Sequence, residues 1–442
     1  MYPLKPDKIY AHDELRSNPD AMTRMQRFLA AMGFAESAVD WYTPTAAVRV
    51  AQEVAAWVPG TSRPDWKLRQ PIVFTRFALS GTAAEDPVFA NRPTDIPLFN
   101  LKHILGYLPI FTPHHTPEQD AATGMTCWPS MFLSSVDGCS HGCVYCGNGS
   151  KGKALVIALN VHDYLQQGVR KVIDDNPWQK CFLMMGAADI ATLEPEYGLY
   201  EDYLNLLGEY PDRYGYFHTN GDCVDWVEKL TRRDRVIGVW SLCSNEAAAL
   251  LEPCSPSASS RIEAMAKLCR WGVPVRVKMK PVLPVRGWRE SYANMIEELL
   301  RKTTLETLGF TSIIWMDYEQ FTKTFDTELL DPTFVAAARD AQAEMKGSSH
   351  GPFPHAKRAE LYRFLIGEVR KHNQKLPLFL STETPEMWDD LADVIGQNPR
   401  RFFCGCNSVQ GPGPRYLTSP VTESNYRTNK EARAAKKAQP VQ

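Results

Sequence analysis

The sequence predicts an α/β fold organised around a parallel sheet. From about residue 130 to 316, short apolar runs alternate with amphipathic stretches of helical period. Repeated strand–helix units of this kind pack as a parallel sheet with ligand sites at the carboxyl ends of the strands. A loop dense in cysteine and glycine follows the first of these strands, where such a site belongs.

Strands are expected at 131–136, 154–158, 181–185, 214–218, 236–241, 273–280 and 311–316, each a short run bounded by turn formers. Helices at 162–173, 200–207, 224–231, 259–271 and 289–301 fall between them. Residues 1–125 read as a mainly helical N-terminal extension. Ser17-Asn-Pro-Asp20 starts a helix with Met22, Met25, Phe28, Leu29 and Met32 on one face, and Thr43-Pro44-Thr45 opens a second with Val48, Val50, Val54 and Trp57. The sheet domain covers 126–330. A C-terminal helical and irregular segment, 331–426, packs on it, with helices at 332–345 and 356–371 and an apolar run at 377–380. The last stretch, 427–442, is a basic tail expected to be disordered. His114-His115 reads as a solvated loop pair rather than a metal site.

A chain of 442 residues can bury a large core. Its 44% apolar and 23% charged content is that of a soluble globular protein. A net charge of −2 excludes a global attraction to nucleic acid, so any such contact needs a local patch. No run approaches the ~20 apolar residues of a membrane span, which predicts no membrane partner. Eleven cysteines suit a reducing compartment, so a cytoplasmic location is expected.

The run Asp137-Gly-Cys-Ser-His-Gly-Cys-Val-Tyr-Cys146 places Cys139, Cys143 and Cys146 in a C-x3-C-x2-C spacing. Three thiolates on one short loop can hold three irons of a 4Fe–4S cubane and leave the fourth open for chemistry. Gly138, Gly142, Gly147 and Gly149 let the backbone wrap closely around an inorganic core. A zinc site wants four ligands, usually in two pairs. A disulfide framework wants an even number of cysteines. An inert thiol set would leave the spacing accidental.

The cysteine spacing resembles the signature of the radical S-adenosylmethionine enzymes. Over about 130–406 the chain further resembles their spore photoproduct lyase branch. It does so through Gly138-Cys-Ser-His-Gly-Cys-Val-Tyr-Cys146, Ala188-Asp189-Ile190, Ser241 ending a strand, Arg261-Ile-Glu-Ala264, Gly287-Trp288, Phe321-Thr-Lys323 and Thr384-Pro-Glu-Met-Trp388. The resemblance implies a partial (β/α)6 barrel. It also implies a 4Fe–4S cluster with S-adenosylmethionine on its open iron, and a reducing partner such as flavodoxin or ferredoxin. Asp189 and Ser241 match positions that lie against S-adenosylmethionine in that branch, and Tyr145 falls with them. Two departures stand out. The hydrogen-donor cysteine of the lyase corresponds to Gly186, and a cofactor-side lysine corresponds to Asn220.

In the strand Val275-Arg-Val-Lys-Met-Lys280, Arg276, Lys278 and Lys280 share one face. If that face lines the interior it needs anions, one from S-adenosylmethionine and another from substrate. The expected function is hydrogen abstraction from a thymine-derived or modified pyrimidine nucleotide, in DNA, with an isomerase-like course that needs no protein thiol. The alternatives are a photoproduct-repair lyase using Cys181, Cys223 or Cys243, radical modification of a peptide or small metabolite, and a non-enzymatic iron–sulfur or zinc protein. Cys404-x-Cys406 supplies only two thiols, so no auxiliary cluster is expected.

Overall fold

The computed structural model describes residues 1–58, 66–79, 85–90, 92–94, 96–116, 119, 123, 125–146, 154–185, 188–397 and 402–413. Gly147, Gly149, Gly186 and the basic tail 427–442 lie outside the described residues. The strands are β1 (Ile9–His12), β2 (Val39–Tyr42), β3 (Ile72–Thr75), β4 (Phe111–His114), β5 (Ser130–Ser134), β6 (Val136–Asp137), β7 (Leu155–Ala158), β8 (Cys181–Met185), β9 (Tyr214–Thr219), β10 (Val236–Ser241), β11 (Val275–Met279), β12 (Leu305–Phe310) and β13 (Leu378–Leu380).

They form two sheets. The larger has the order β13-β12-β11-β10-β9-β8-β5-β4. It is parallel from β5 to β13, with β4 antiparallel at the edge. The sheet is open: among the described residues β4 and β13 do not pair. One isolated bridge, Thr126 with Glu383, links the segment before β5 to the segment after β13.

The two faces of this sheet divide strictly by alternation. Phe182, Met184, Phe217, Trp240, Val275, Val277, Met279, Leu308 and Phe310 belong to the main core. Helices such as Ala258–Arg270, Trp288–Lys302 and His355–His372 contribute to that core. The other face carries Cys181, Leu183, Tyr216, Ile237 and Val239 as a small separate cluster, with Cys406 against it. The C-terminal segment 402–413 packs on this inner face. Ser408 accepts from the amides of Lys180 and Cys181 at 2.7 and 2.9 Å, Cys406 from the Tyr216 hydroxyl at 3.3 Å, and Gly411 from Arg276 at 3.0 Å.

The N-terminal region departs from the mainly helical expectation. Its two expected helices are present, Pro19–Met32 capped by Asn18 and Ala47–Ala56. Around them lies a second sheet of order β2-β1-β3-β7-β6, parallel except for the β6–β7 pair. The run at 154–158 is a strand, but it joins this sheet rather than the larger one. Strands β1 and β3 are four-residue runs buried along their whole length. Such runs show no alternation and so give no periodic signal in sequence. The last expected strand, 311–316, is also displaced. The sixth parallel strand is β12 at Leu305–Phe310, and 311–316 is the loop that follows it. There Ser312 donates its amide to the Tyr362 hydroxyl at 2.8 Å and Trp315 turns to φ +65°.

Gly309 sits where β12 meets β13, and a Cβ built there would lie 2.2 Å from the Phe379 ring. Gly309→Ala should therefore cost about 1–3 kcal/mol by overpacking, read as a lower urea midpoint at unchanged slope.

A candidate active site at the carboxyl ends of the strands

The cysteine loop leaves β6 and runs over the carboxyl ends of β8, β9 and β10. Its glycines meet two close approaches. At Gly138 (φ +95°) a Cβ would fall 2.3 Å from the Ala154 carbonyl oxygen. At Gly142 (φ +65°) it would fall 2.8 Å from Cγ of Lys67. Lys67 is fully buried and donates to Gln70, and Gln70 donates to the Cys139 carbonyl at 3.0 Å. The N-terminal unit thus forms one wall of the loop.

His141, the only non-cysteine residue of the loop with a strong metal-binding side chain, is turned away. Its Nε2 lies 2.8 Å from Asp189 Oδ2 and its Nδ1 faces the Cys254 carbonyl at 3.4 Å. Asp189 Oδ2 also accepts from the Thr219 hydroxyl at 2.7 Å and the Asn220 amide at 2.8 Å, while its Oδ1 is buried without a hydrogen-bond partner. Asn220 in turn offers its side-chain amide to Cys143 Sγ at 3.8 Å. Asp189 and Asn220 therefore lie beside the cysteines.

Burial, helped by Asp189, pushes the Cys139 thiol up to about 12, and burial with Glu252 holds Cys143 well above its ordinary range. Such thiols ionise when a cationic centre takes the proton's place. Among the described residues no three His, Cys, Asp or Glu side chains are set to hold a single metal ion. With His141 engaged by Asp189, the three cysteines fit a 4Fe–4S core, which takes one thiolate per iron, better than a four-ligand zinc site.

Tyr145 donates its hydroxyl to Glu252, whose other oxygen takes the guanidinium of Arg261. Both charged residues are buried, so the pair fixes the third turn of the loop against the helix Ala258–Arg270.

A cavity of about 220 Å³ opens beside Tyr145, lined also by His218, Ser241, Lys280 and the loop after β12. Ser241 Oγ and His218 Nε2 are 2.8 Å apart, and burial together with Lys278 pushes the imidazole down to about 3, so it is neutral. The three cations of β11 separate by depth. Arg276 is fully buried against Glu306 at 2.8 Å and stacks over Phe403 at 4.7 Å. Lys278 donates to Cys406 Sγ at 3.3 Å. Lys280 alone lines the cavity, donating to Thr382 Oγ1 at 3.3 Å, and burial and Lys278 bring its ammonium down to about 8. Arg276 and Lys278 are committed to the protein's own groups. A third cysteine, Cys127, meets Cys404 and Cys406, and hydrogen bonds from both hold the Cys406 thiol well below its usual range.

Sequence reasoning missed His218, Glu252, Thr382, Trp315 and the convergence on Cys406. Only His218 left a signal, since it shares its alternation with Tyr216 on the inner face. The other contacts join segments far apart in the chain.

Residues 130–330 match the family model described as spore photoproduct lyase. No curated protein matches the chain. Among solved structures, a single-residue variant of spore photoproduct lyase superposes with a TM-score of 0.58 at 15% identity, covering 86% of this chain and 98% of its own. Spore photoproduct lyase complexed with dinucleoside spore photoproduct gives 0.58 at 15%, covering 86% and 99%. A double variant with bound AdoMet and the same dinucleoside gives 0.54 at 13%, covering 86% and 98%. These likenesses establish the fold, and with the family match they bear out the resemblance drawn from the motifs and the reading of the chain as an enzyme.

Glu252→Ala would leave Arg261 buried and unpaired, so a loss of about 3–5 kcal/mol is expected. Chemical denaturation measures it, and the double change Glu252→Leu with Arg261→Met should recover part of the loss.

Proposed function

We propose that this chain, which matches the spore photoproduct lyase family over residues 130–330, is a radical S-adenosylmethionine enzyme. In this reading it acts on a thymine-derived or modified pyrimidine nucleotide in DNA, with an isomerase-like course. The run of parallel strands β5, β8, β9, β10, β11 and β12 within the open sheet supports reading it as the partial (β/α)6 barrel that the resemblance implies. The observation that carries the reading is a loop of three thiols, its histidine withdrawn onto Asp189, beside a cavity that presents one cation, Lys280.

When bound, a 4Fe–4S cluster and S-adenosylmethionine would supply a 5′-deoxyadenosyl radical for hydrogen abstraction. Cys139, Cys143 and Cys146 would hold the cluster. The free Oδ1 of Asp189 can accept from an amino or hydroxyl group, and Asn220 and Ser241 supply further polar contacts on the same side. Tyr145 is immobilised by Glu252 and closes one wall of the cavity. Lys280 lines the same cavity and can pair with an anionic group on substrate. A flavodoxin or ferredoxin would serve as reductant. Among the described residues no helix is long and apolar enough to cross a membrane.

Gly186 stands where the lyase carries its donor cysteine, which favours a course in which hydrogen returns to product without a protein thiol. One observation supports a second reading, photoproduct-type lyase chemistry. The thiols of Cys127, Cys404 and Cys406 converge near Lys278 and Lys280, a grouping that Cys181, Cys223 and Cys243 do not share. Cys181 bonds the Gln410 carbonyl, and neither Cys223 nor Cys243 lines the cavity.

The first test is anaerobic reconstitution followed by incubation with dithionite and S-adenosylmethionine. The parent should form 5′-deoxyadenosine and Cys143→Ala none; absence of product from a fully loaded parent, with or without thymidine nucleotides, would overturn the reading. Cys406→Ala separates the two courses, because loss of nucleotide product with 5′-deoxyadenosine retained marks a thiol donor.

Lys280 makes a pH prediction. Its ammonium is charged below about 8 and neutral above. Affinity for an anionic pyrimidine nucleotide should fall as pH rises through that value, and Lys280→Arg should flatten the profile.

A further inference from the structure

Among the described residues, three non-glycine positions have positive φ: His115 at 51°, Trp315 at 65° and Thr382 at 59°. L side chains adopt this region at a cost, most of all β-branched and bulky ones. Trp315 and, through Lys280, Thr382 adjoin the chamber, while His115 follows the edge strand β4. Thr382 accepts from Lys280. The His114 ring of β4 lies 4.5 Å from Phe132 on the inner face. Trp315 lines the cavity itself, with 56% of its surface exposed.

Trp315 is held in this posture from both sides. Its amide donates to the Ser349 carbonyl at 3.0 Å. The neighbouring Met316 carbonyl lies against Gly351, where a Cβ would come within 2.6 Å of it. The loop therefore spends backbone strain to project a large flat apolar ring into a wet cavity. Folding alone gives no reason for that, since the ring is mostly uncovered and a glycine would fit the turn without strain. Ser241, His218 and Lys280 line the same cavity. One flat apolar surface in a cavity that also presents a cation and neutral hydrogen-bonding groups is complementary to a nucleobase attached to an anionic backbone, because any base has a face that stacks on an aromatic ring.

We infer that Trp315 is the stacking platform for the pyrimidine base of the substrate, a specificity residue outside the cysteine motif. This deepens the function proposed above and rests on its pyrimidine substrate. A base seated there has left its own stack, so the nucleotide must be presented single-stranded or extruded from a duplex.

The experiment is equilibrium dialysis of the anaerobically reconstituted holoenzyme against two probes, the dinucleotide thymidylyl-thymidine and S-adenosylmethionine. Trp315→Ala should weaken dinucleotide binding about 10- to 100-fold, the effect of removing one stacked base, and leave S-adenosylmethionine binding unchanged. Trp315→Phe should retain most of the affinity. Trp315→Gly should lose affinity like the alanine variant yet unfold at a higher temperature than it, because glycine relieves the φ of 65°. That opposition of stability and binding is one a merely structural tryptophan would not show. Equal dinucleotide affinity in parent and Trp315→Ala overturns the platform alone. A parallel loss of S-adenosylmethionine binding overturns it in favour of the cofactor's adenine. A parent that binds S-adenosylmethionine but not the dinucleotide removes the pyrimidine reading and this inference with it.

Discussion

A single buried carboxylate, Asp189, joins the cysteine loop to the sheet. One of its oxygens gathers His141 from the loop, the Thr219 hydroxyl from the end of β9 and the Asn220 amide beyond it. These three contacts set the height of the loop above the strand ends and fix which way His141 faces. Everything proposed for the thiols depends on that orientation: a histidine turned inward would complete a four-ligand metal site, and one turned onto a carboxylate leaves the three cysteines alone. The second oxygen of Asp189 has no protein partner. A buried acceptor left open is costly in an apolar setting and is what a polar ligand would satisfy.

The inner face of the sheet shows how a protein accommodates charges it cannot leave bare. Along β11 the cations are treated according to depth. Arg276 has a carboxylate, backbone carbonyls and an aromatic ring around it. Lys278 has a thiol cluster. Lys280 bonds the Thr382 hydroxyl and lines the cavity. The segment 402–413 brings Phe403, Gly411 and Cys406 against the two deeper cations, beside Glu306 from β12, and so fills the lower part of the chamber. What remains near the strand ends is a small cavity lined by both aromatic and polar side chains.

Much of this was legible in the sequence, and the rest was hidden for definite reasons. The cysteine loop, the strands at 181–185 and 236–241, and the helices at 259–271 and 289–301 were recovered because a motif or a clean period marks them. Arg276, Lys278 and Lys280 were correctly placed on one face by alternation. Their different fates were invisible, since these depend on Glu306, Cys406 and Thr382, which arrive from distant segments. The N-terminal sheet was missed because its strands are short, and β1 and β3 are buried on both sides and therefore aperiodic. The loop at 311–316 was mistaken for a strand because Ile313, Ile314 and Trp315 have strand-like chemistry, while the positive φ of Trp315 depends on how 349–351 grips it.

The order of strands in the two sheets bears on how the chain is assembled during synthesis. β1 to β3 start the small sheet, β4 and β5 start the large one, and β6 and β7 return to the small sheet before β8 resumes the large. β3 thus keeps an open edge until residue 158 has emerged, and by then the first strands of the large sheet already exist. Domains made in succession can each finish before the next begins. These two cannot, because the stretch that closes one is reached only by passing through the other. The cysteine loop lies on that return path, between β6 and β7. Its final geometry is therefore set late, by the joining of two half-built sheets, and a ribosome-bound chain ending before β7 would display the three thiols without the strand that ties β6 to β3, next to the wall of Lys67 and Gln70.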